Sequence, residues 1–117
     1  MINNSLSKSY DNGKNAVNKF NLVIEEGDVF GLLGPNGAGK TTFFSMITGV
    51  FAPSSGEAFV AGYSIKNDME KVHLHMGVCP QFDILWPTLT VQDHLYFYGR
   101  LKGVPSDNLD ESVRNAI

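Results

Sequence analysis

Gly34, Gly37 and Gly39 stand immediately ahead of Lys40, Thr41 and Thr42, and with Pro35, Asn36 and Ala38 between them they meet the spacing G-x-x-x-x-G-K-[ST]. Glycines at these positions let successive backbone N–H groups close around an anion, with dihedral angles and a close approach that side chains would block. A helix starting near Gly39 aims its unpaired N–H groups, and about half a unit of positive charge, at the same point. Lys40 supplies a mobile ammonium for the outer two phosphates of a nucleoside triphosphate. Thr41 carries a hydroxyl of the kind that ligates magnesium, and Thr42 is placed to donate to an inner phosphate. The chemistry expected of residues 34–42, Asn36 included, is therefore the holding of ATP with Mg2+. A dinucleotide fingerprint, G-x-G-x-x-G, is not met, because Gly37-Ala38-Gly39 runs into Lys40, Thr41 and Thr42. A glycine-rich turn with an accidental lysine is the bland alternative, and the elements expected on either side of the loop argue against it.

Those elements follow from periodicity. Residues 29–33 form a short apolar run without alternation, which predicts a strand buried on both faces of a parallel sheet and leading straight into the glycines. Residues 40–50 predict a helix, with Phe43, Phe44 and Ile47 on one side and Gly49 near its end. Ahead of the loop, residues 5–10 predict a short strand and residues 11–14 a turn. Phe20, Leu22 and Ile24 then mark one face of a strand that stops at the polar turn 25–28. After the break at 53–56, strands are expected over 57–63 and 77–81, and a short helix over 66–74. Thr90 reads as an N-cap with Asp93 three residues on, opening a helix over 91–102 whose stripe is Val91, Leu95, Tyr98 and Leu101. Gly103 and Pro105 end it, and a further helix starts near Ser106 and is still running at Ile117, as in an interrupted domain.

The 117 residues suit one domain or part of one, and 43% hydrophobic with 18% charged residues suits a packed core rather than disorder. A net charge of −3 without any dense Lys or Arg cluster excludes a surface that tracks nucleic-acid phosphates. Cys79 stands alone in an apolar setting, so it is expected to fill core space in a reducing compartment. Neither a signal peptide nor a run of about 18 apolar residues is present, so no segment of the chain is expected to cross a bilayer. His73 and His75 lie on different faces of a helix and do not suggest a zinc site, and Tyr96, Phe97 and Tyr98 read as helix packing.

The loop at 34–42, followed by Gln81 after Val78-Cys79-Pro80, resembles the nucleotide-binding domain of ABC transporters. The wording of residues 82–91 with His94-Leu95 resembles the A subfamily, which moves lipids, and the likeness runs from about residue 6 to residue 103. It implies an α/β, P-loop NTPase core, a parallel sheet with flanking helices, plus N-terminal antiparallel strands. Residues 1–117 would be the N-terminal, incomplete part of that domain.

By the same resemblance Tyr10 matches the aromatic that stacks on adenine, Gln81 matches the residue that contacts magnesium and the attacking water, and the loop around Trp86 and Pro87 matches the surface that receives the transmembrane partner. The alternatives are an exposed tyrosine, an ordinary strand-end glutamine and a buried tryptophan. His94 does not match the family's switch histidine. The resemblance also implies a second nucleotide-binding domain as partner and a place on the cytosolic face of a membrane. The signature loop, the catalytic glutamate and the switch histidine are expected after residue 117, so the 117-residue chain is expected to bind ATP without hydrolysing it. A soluble ATPase of the same superfamily, and a non-catalytic regulatory fragment, are the competing readings.

Overall fold

The computed structural model describes residues 1–11, 13–82 and 84–117, and the chain divides into two units, Met1–Val78 and Cys79–Ile117. Asn12 of the expected turn and Asp83 of the A-subfamily wording lie outside the described residues.

In the first unit, strands β1 (Ile2–Ser9), β2 (Asn15–Val23), β3 (Ser55–Val60) and β4 (Tyr63–Ser64) form one four-stranded antiparallel sheet in the order β2-β1-β3-β4. Helices α1 (Lys40–Ile47) and α2 (Met69–Leu74) complete the unit. Leu6 on β1, Ala58 on β3 and Ile65 after β4 meet Phe43, Met46 and Ile47 of α1 and Val72 of α2 in one buried cluster. Phe20 of β2 packs edge-on against Phe43, with ring centroids 5.2 Å apart. Of the expected apolar face of α1, Phe43 and Ile47 are buried, whereas Phe44 is exposed and Met46 takes the third core position. The helix ends earlier than residue 50 because Gly49, at φ 77°, lets the Val50 N–H reach back to the Ser45 carbonyl at 2.9 Å.

The expected single strand over 57–63 is a hairpin, because Ala61 (φ 50°) and Gly62 (φ 83°) both take the left-handed conformation of a two-residue turn. Residues 29–33, expected as a buried strand, form no strand, and Val29 and Leu33 are almost wholly exposed. Residues 77–81 likewise form none. A strand of a parallel sheet exists only through its ladder, and among the described residues no strand pairs with either segment. The α/β class therefore holds through the antiparallel strands and the helices, without a parallel sheet among the described residues.

In the second unit, α3 (Val91–Leu101) and α4 (Ser106–Ala116) pack against each other. Gly99 of α3 allows that approach, since a Cβ there would fall 2.6 Å from the Leu109 side chain of α4. The expected stripe on α3 is displaced: Val91 and Leu101 are exposed, while His94 is buried. Cys79 is exposed rather than part of a core, as befits a residue on a segment that no strand ladder holds. No helix of the described residues is long and apolar enough to cross a membrane.

Candidate functional site

The glycine loop of the first unit is shaped by backbone contacts before any side chain acts. Gly37 and Gly39 have φ of 83° and 92°, a region that costs other residues dearly. At Gly39 there is also no room, because a Cβ would stand 2.1 Å from the carbonyl oxygen of Ala16 on β2. The loop is thereby seated on β2, and Gly39 becomes the N-cap of α1.

Phe43 N–H donates to the Gly39 carbonyl at 2.8 Å, the first bond of the helix, so the N–H groups of Lys40, Thr41 and Thr42 have no acceptor within it. No acidic residue lies in the first turn to compete for them. Lys40 folds across the loop, its ammonium donating to the carbonyls of Gly34 and Pro35, the latter at 2.8 Å. Beside the loop lies a cavity of about 300 Å³, lined by Ala16, Val17, Phe20 and Leu32 together with Gly39 and Lys40.

Tyr10 comes from far along the chain to the same place. Its hydroxyl lies 3.4 Å from Thr42 Oγ1, and 39% of the residue is exposed. Asn36 and Thr41 are exposed, as are Gly34 and Gly37. The structure thus brings Tyr10 and residues 34–42 together. Gln81 belongs to the second unit, where it is exposed on a segment without regular structure. These groups fit a polyphosphate with a divalent cation: oriented N–H donors, one ammonium now bonded only to neutral carbonyls, and hydroxyls at Thr41 and, beside Tyr10, at Thr42, of the type that meets metal or phosphate oxygen.

Two residues of this neighbourhood carried no signal in the sequence. Phe51 packs edge-on against Tyr10 at 6.2 Å, and Lys8 holds its ammonium 4.8 Å from the Phe51 ring. Strand alternation and a phenylalanine beyond a helix end are too common to single them out.

In the second unit the Trp86 loop is neither fully buried nor free. Trp86 is 44% exposed, and its ring stacks on His94 at 5.6 Å and meets Phe97 edge-on at 5.0 Å. The Trp86 N–H donates to His94 Nε2 at 2.9 Å, and the Nδ1–H of the same ring donates to the Thr90 carbonyl at 2.8 Å. Around them is an apolar hollow of about 440 Å³ with Leu85, Pro87 and Leu95 in its wall. Thr90 and Asp93 form the expected capping box, and hydrogen bonds from the Thr90 hydroxyl and N–H hold the Asp93 carboxyl below its ordinary value of 3.8.

The family model for the ABC transporter matches residues 17–117. ABC transporter A family member 6 of Arabidopsis thaliana is 53% identical over 104 residues, which is 89% of this chain and 11% of that protein. The chain thus spans about a tenth of the length of such a relative. Among solved structures, an ATP-binding subunit of an ABC transporter is 26% identical with a TM-score of 0.75, covering 92% of this chain and 44% of that one. The dimeric bacterial ABC transporter cassette MJ0796 is 25% identical with a TM-score of 0.79, covering 99% of this chain and 54% of that one. With the loop, its helix and its aromatic neighbour in place, these likenesses settle the family: the chain belongs to the ABC transporter family, and its relatives include A-family members.

Proposed function

We propose that this chain binds ATP with Mg2+ in the glycine loop, as the nucleotide-binding part of an A-family transporter. The observation that carries the reading is the seating of a positively poised helix end, Lys40 and the Thr42–Tyr10 pair around one loop. Backbone N–H groups of the loop and of the first turn of α1 hold the phosphates. Lys40 exchanges its two carbonyl acceptors for phosphate oxygens, a change from neutral to charge-assisted hydrogen bonds. Thr41 holds the magnesium, Gly34, Asn36, Gly37, Gly39 and Thr42 serve the phosphates, and Tyr10 stacks on the base. Magnesium, when bound, neutralises charge between phosphates and polarises the outer one.

In the complete transporter Gln81 contacts the magnesium and positions water. A second nucleotide-binding domain closes over the nucleotide, and the exposed apolar loop at Trp86 receives the transmembrane partner at the cytosolic membrane face. Lipid is the proposed substrate class, which the resemblance of residues 82–91 with His94-Leu95 to the A subfamily implies. The 117-residue chain by itself binds ATP without turning it over, since hydrolysis in this family also needs the signature loop of a second nucleotide-binding domain across the nucleotide.

Calorimetry with Mg-ATP tests the core of this reading. The chain is expected to bind, and Lys40→Ala to weaken binding by at least about tenfold, in keeping with about 1.5–3 kcal/mol for a charged hydrogen bond. Equal heats from both proteins, or none from the wild type, would refute it.

A further inference from the structure

Tyr10 is the last residue before the β1–β2 turn, where its N–H donates to the Lys14 carbonyl at 3.0 Å and its own carbonyl accepts from Gly13 at 2.9 Å. A side chain at such a place ordinarily sweeps several rotamers, and a mobile ring makes a poor stacking platform because binding must first immobilise it. Here the ring is held from the side. Phe51 meets it edge-on, centroids 6.2 Å apart and planes 73° apart, within the window where aromatic pairs attract beyond their burial. Lys8 sits beside both rings, its ammonium 4.8 Å from the Phe51 centroid and 5.9 Å from that of Tyr10.

That ammonium is itself fixed, for it donates to the Ala52 carbonyl at 2.7 Å. Ser54 adds three more ties to the same strand end: its N–H donates to the Ser7 carbonyl at 2.9 Å, its hydroxyl to the Ser9 carbonyl at 3.2 Å, and its oxygen accepts from Ser9 N–H at 3.0 Å. Segment 51–54 follows the C-terminal end of α1, whose other end is the glycine loop. The aromatic ring is therefore set at a fixed reach from the phosphate-holding donors, through a helix rather than through a flexible turn.

We infer that Phe51 and Lys8 are positioning residues that hold Tyr10 as a preformed nucleobase platform, so that this edge of the site selects a nucleotide over a bare polyphosphate. The inference rests on the nucleotide reading above. Lys8 acts through the rings and the Ala52 carbonyl, not as a second phosphate ligand.

Calorimetry of the 117-residue chain with Mg-ATP and with Mg-tripolyphosphate separates these roles. The wild type is expected to prefer ATP, and Tyr10→Ala to lose about five- to hundredfold in ATP affinity with tripolyphosphate unchanged. Phe51→Leu and Lys8→Met are expected to lose about three- to tenfold toward ATP alone, and Phe51→Tyr, which keeps the ring, to retain the wild-type preference. Lys8→Met keeps a side chain of similar length and removes the ammonium with its bond to the Ala52 carbonyl, leaving the buried cluster untouched, so it carries the test even where Phe51→Leu fails to fold by circular dichroism.

If Phe51→Leu and Lys8→Met bind ATP as the wild type does while Tyr10→Ala does not, the positioning role is overturned and the nucleotide reading stands. A parallel loss toward both ligands in folded variants overturns it too, because that is what a phosphate-contacting lysine or a general weakening of the loop produces. Absence of any Mg-ATP binding by the wild type overturns both together.

Discussion

At the scale of single residues, Gly37 and Gly39 look equivalent in the motif and are not equivalent in the fold. Both need positive φ, but a Cβ on Gly37 would meet nothing within 4 Å, whereas one on Gly39 would collide with the backbone of Ala16. Backbone cannot rotate away as a side-chain tip can, so Gly39→Ala must lift the loop from β2 or unwind the start of α1. Gly37→Ala is expected to cost about 1–2 kcal/mol for its dihedrals alone, and Gly39→Ala distinctly more, with loss of Mg-ATP binding. Thermal melts of the two variants beside each other check this, and equal melting temperatures would contradict it. The need for glycine was legible in the sequence, because the loop's spacing is a local property. The Ala16 contact was not, since it joins residues that only the fold makes neighbours. The same holds for Tyr10, whose part in the site came from family likeness and whose partners Phe51 and Lys8 no local rule could name.

Among the elements, the start of α3 is the best determined by its own sequence. Thr90 Oγ1 accepts from Asp93 N–H at 3.2 Å, and the Asp93 carboxylate accepts from the Thr90 N–H and hydroxyl at 2.9 and 2.6 Å. Thr90→Ala removes one half of this exchange and is expected to cost about 1 kcal/mol, read as a lower midpoint in urea unfolding. The acid response has a definite sign. Asp93 titrates lower in the folded chain than its ordinary 3.8, first through the Thr90 hydroxyl and then through the Thr90 N–H. Its stabilising contribution is therefore complete above pH 3.8 and disappears as the pH falls through the lowered folded value. Thr90 also accepts from His94, which holds the Trp86 N–H, and Trp86 is the one tryptophan of the sequence. Its emission is thus a direct gauge of the cap: it is expected to change on acidification below pH 3.8, and to change less in Asp93→Asn. Identical acid profiles for the two proteins would count against this account. A cap is legible because all its atoms lie within one turn. The segment 29–33 was misjudged for the opposite reason: an apolar run states that burial would be favourable but not which strand supplies the ladder. The hairpin over 55–64 was missed because Ala61 adopts positive φ, which its residue type does not advertise.

For the whole chain, the decisive quantity is apolar surface left facing water. In the first unit Val29 and Leu33 are 104% and 93% exposed, with Phe30 between them at 47%, close enough in sequence to make one adhesive strip. The sheet has its own open edge at β2, but that edge is poorly shaped for pairing. Exposed Lys19 sits there at φ 44°, and the register against β1 shifts repeatedly. Bulges and an edge lysine are the features that discourage strand addition. Association of the isolated chain should therefore run through the strip at 29–33 and not through β2, and a net charge of −3 offers little repulsion against it. Sedimentation velocity is expected to show oligomers growing as the concentration rises through about 10–100 µM, the range in which exposed apolar surface drives aggregation. Val29→Lys with Leu33→Lys should return the chain to monomer, because both side chains already stand in solvent and lose no packing. Lys19→Asn, which removes the edge charge and tolerates the positive φ, should leave the distribution unchanged. A wild-type chain that stays monomeric across that range would remove the liability altogether, and one that Lys19→Asn alone drives into larger oligomers would move it from the strip to the sheet edge.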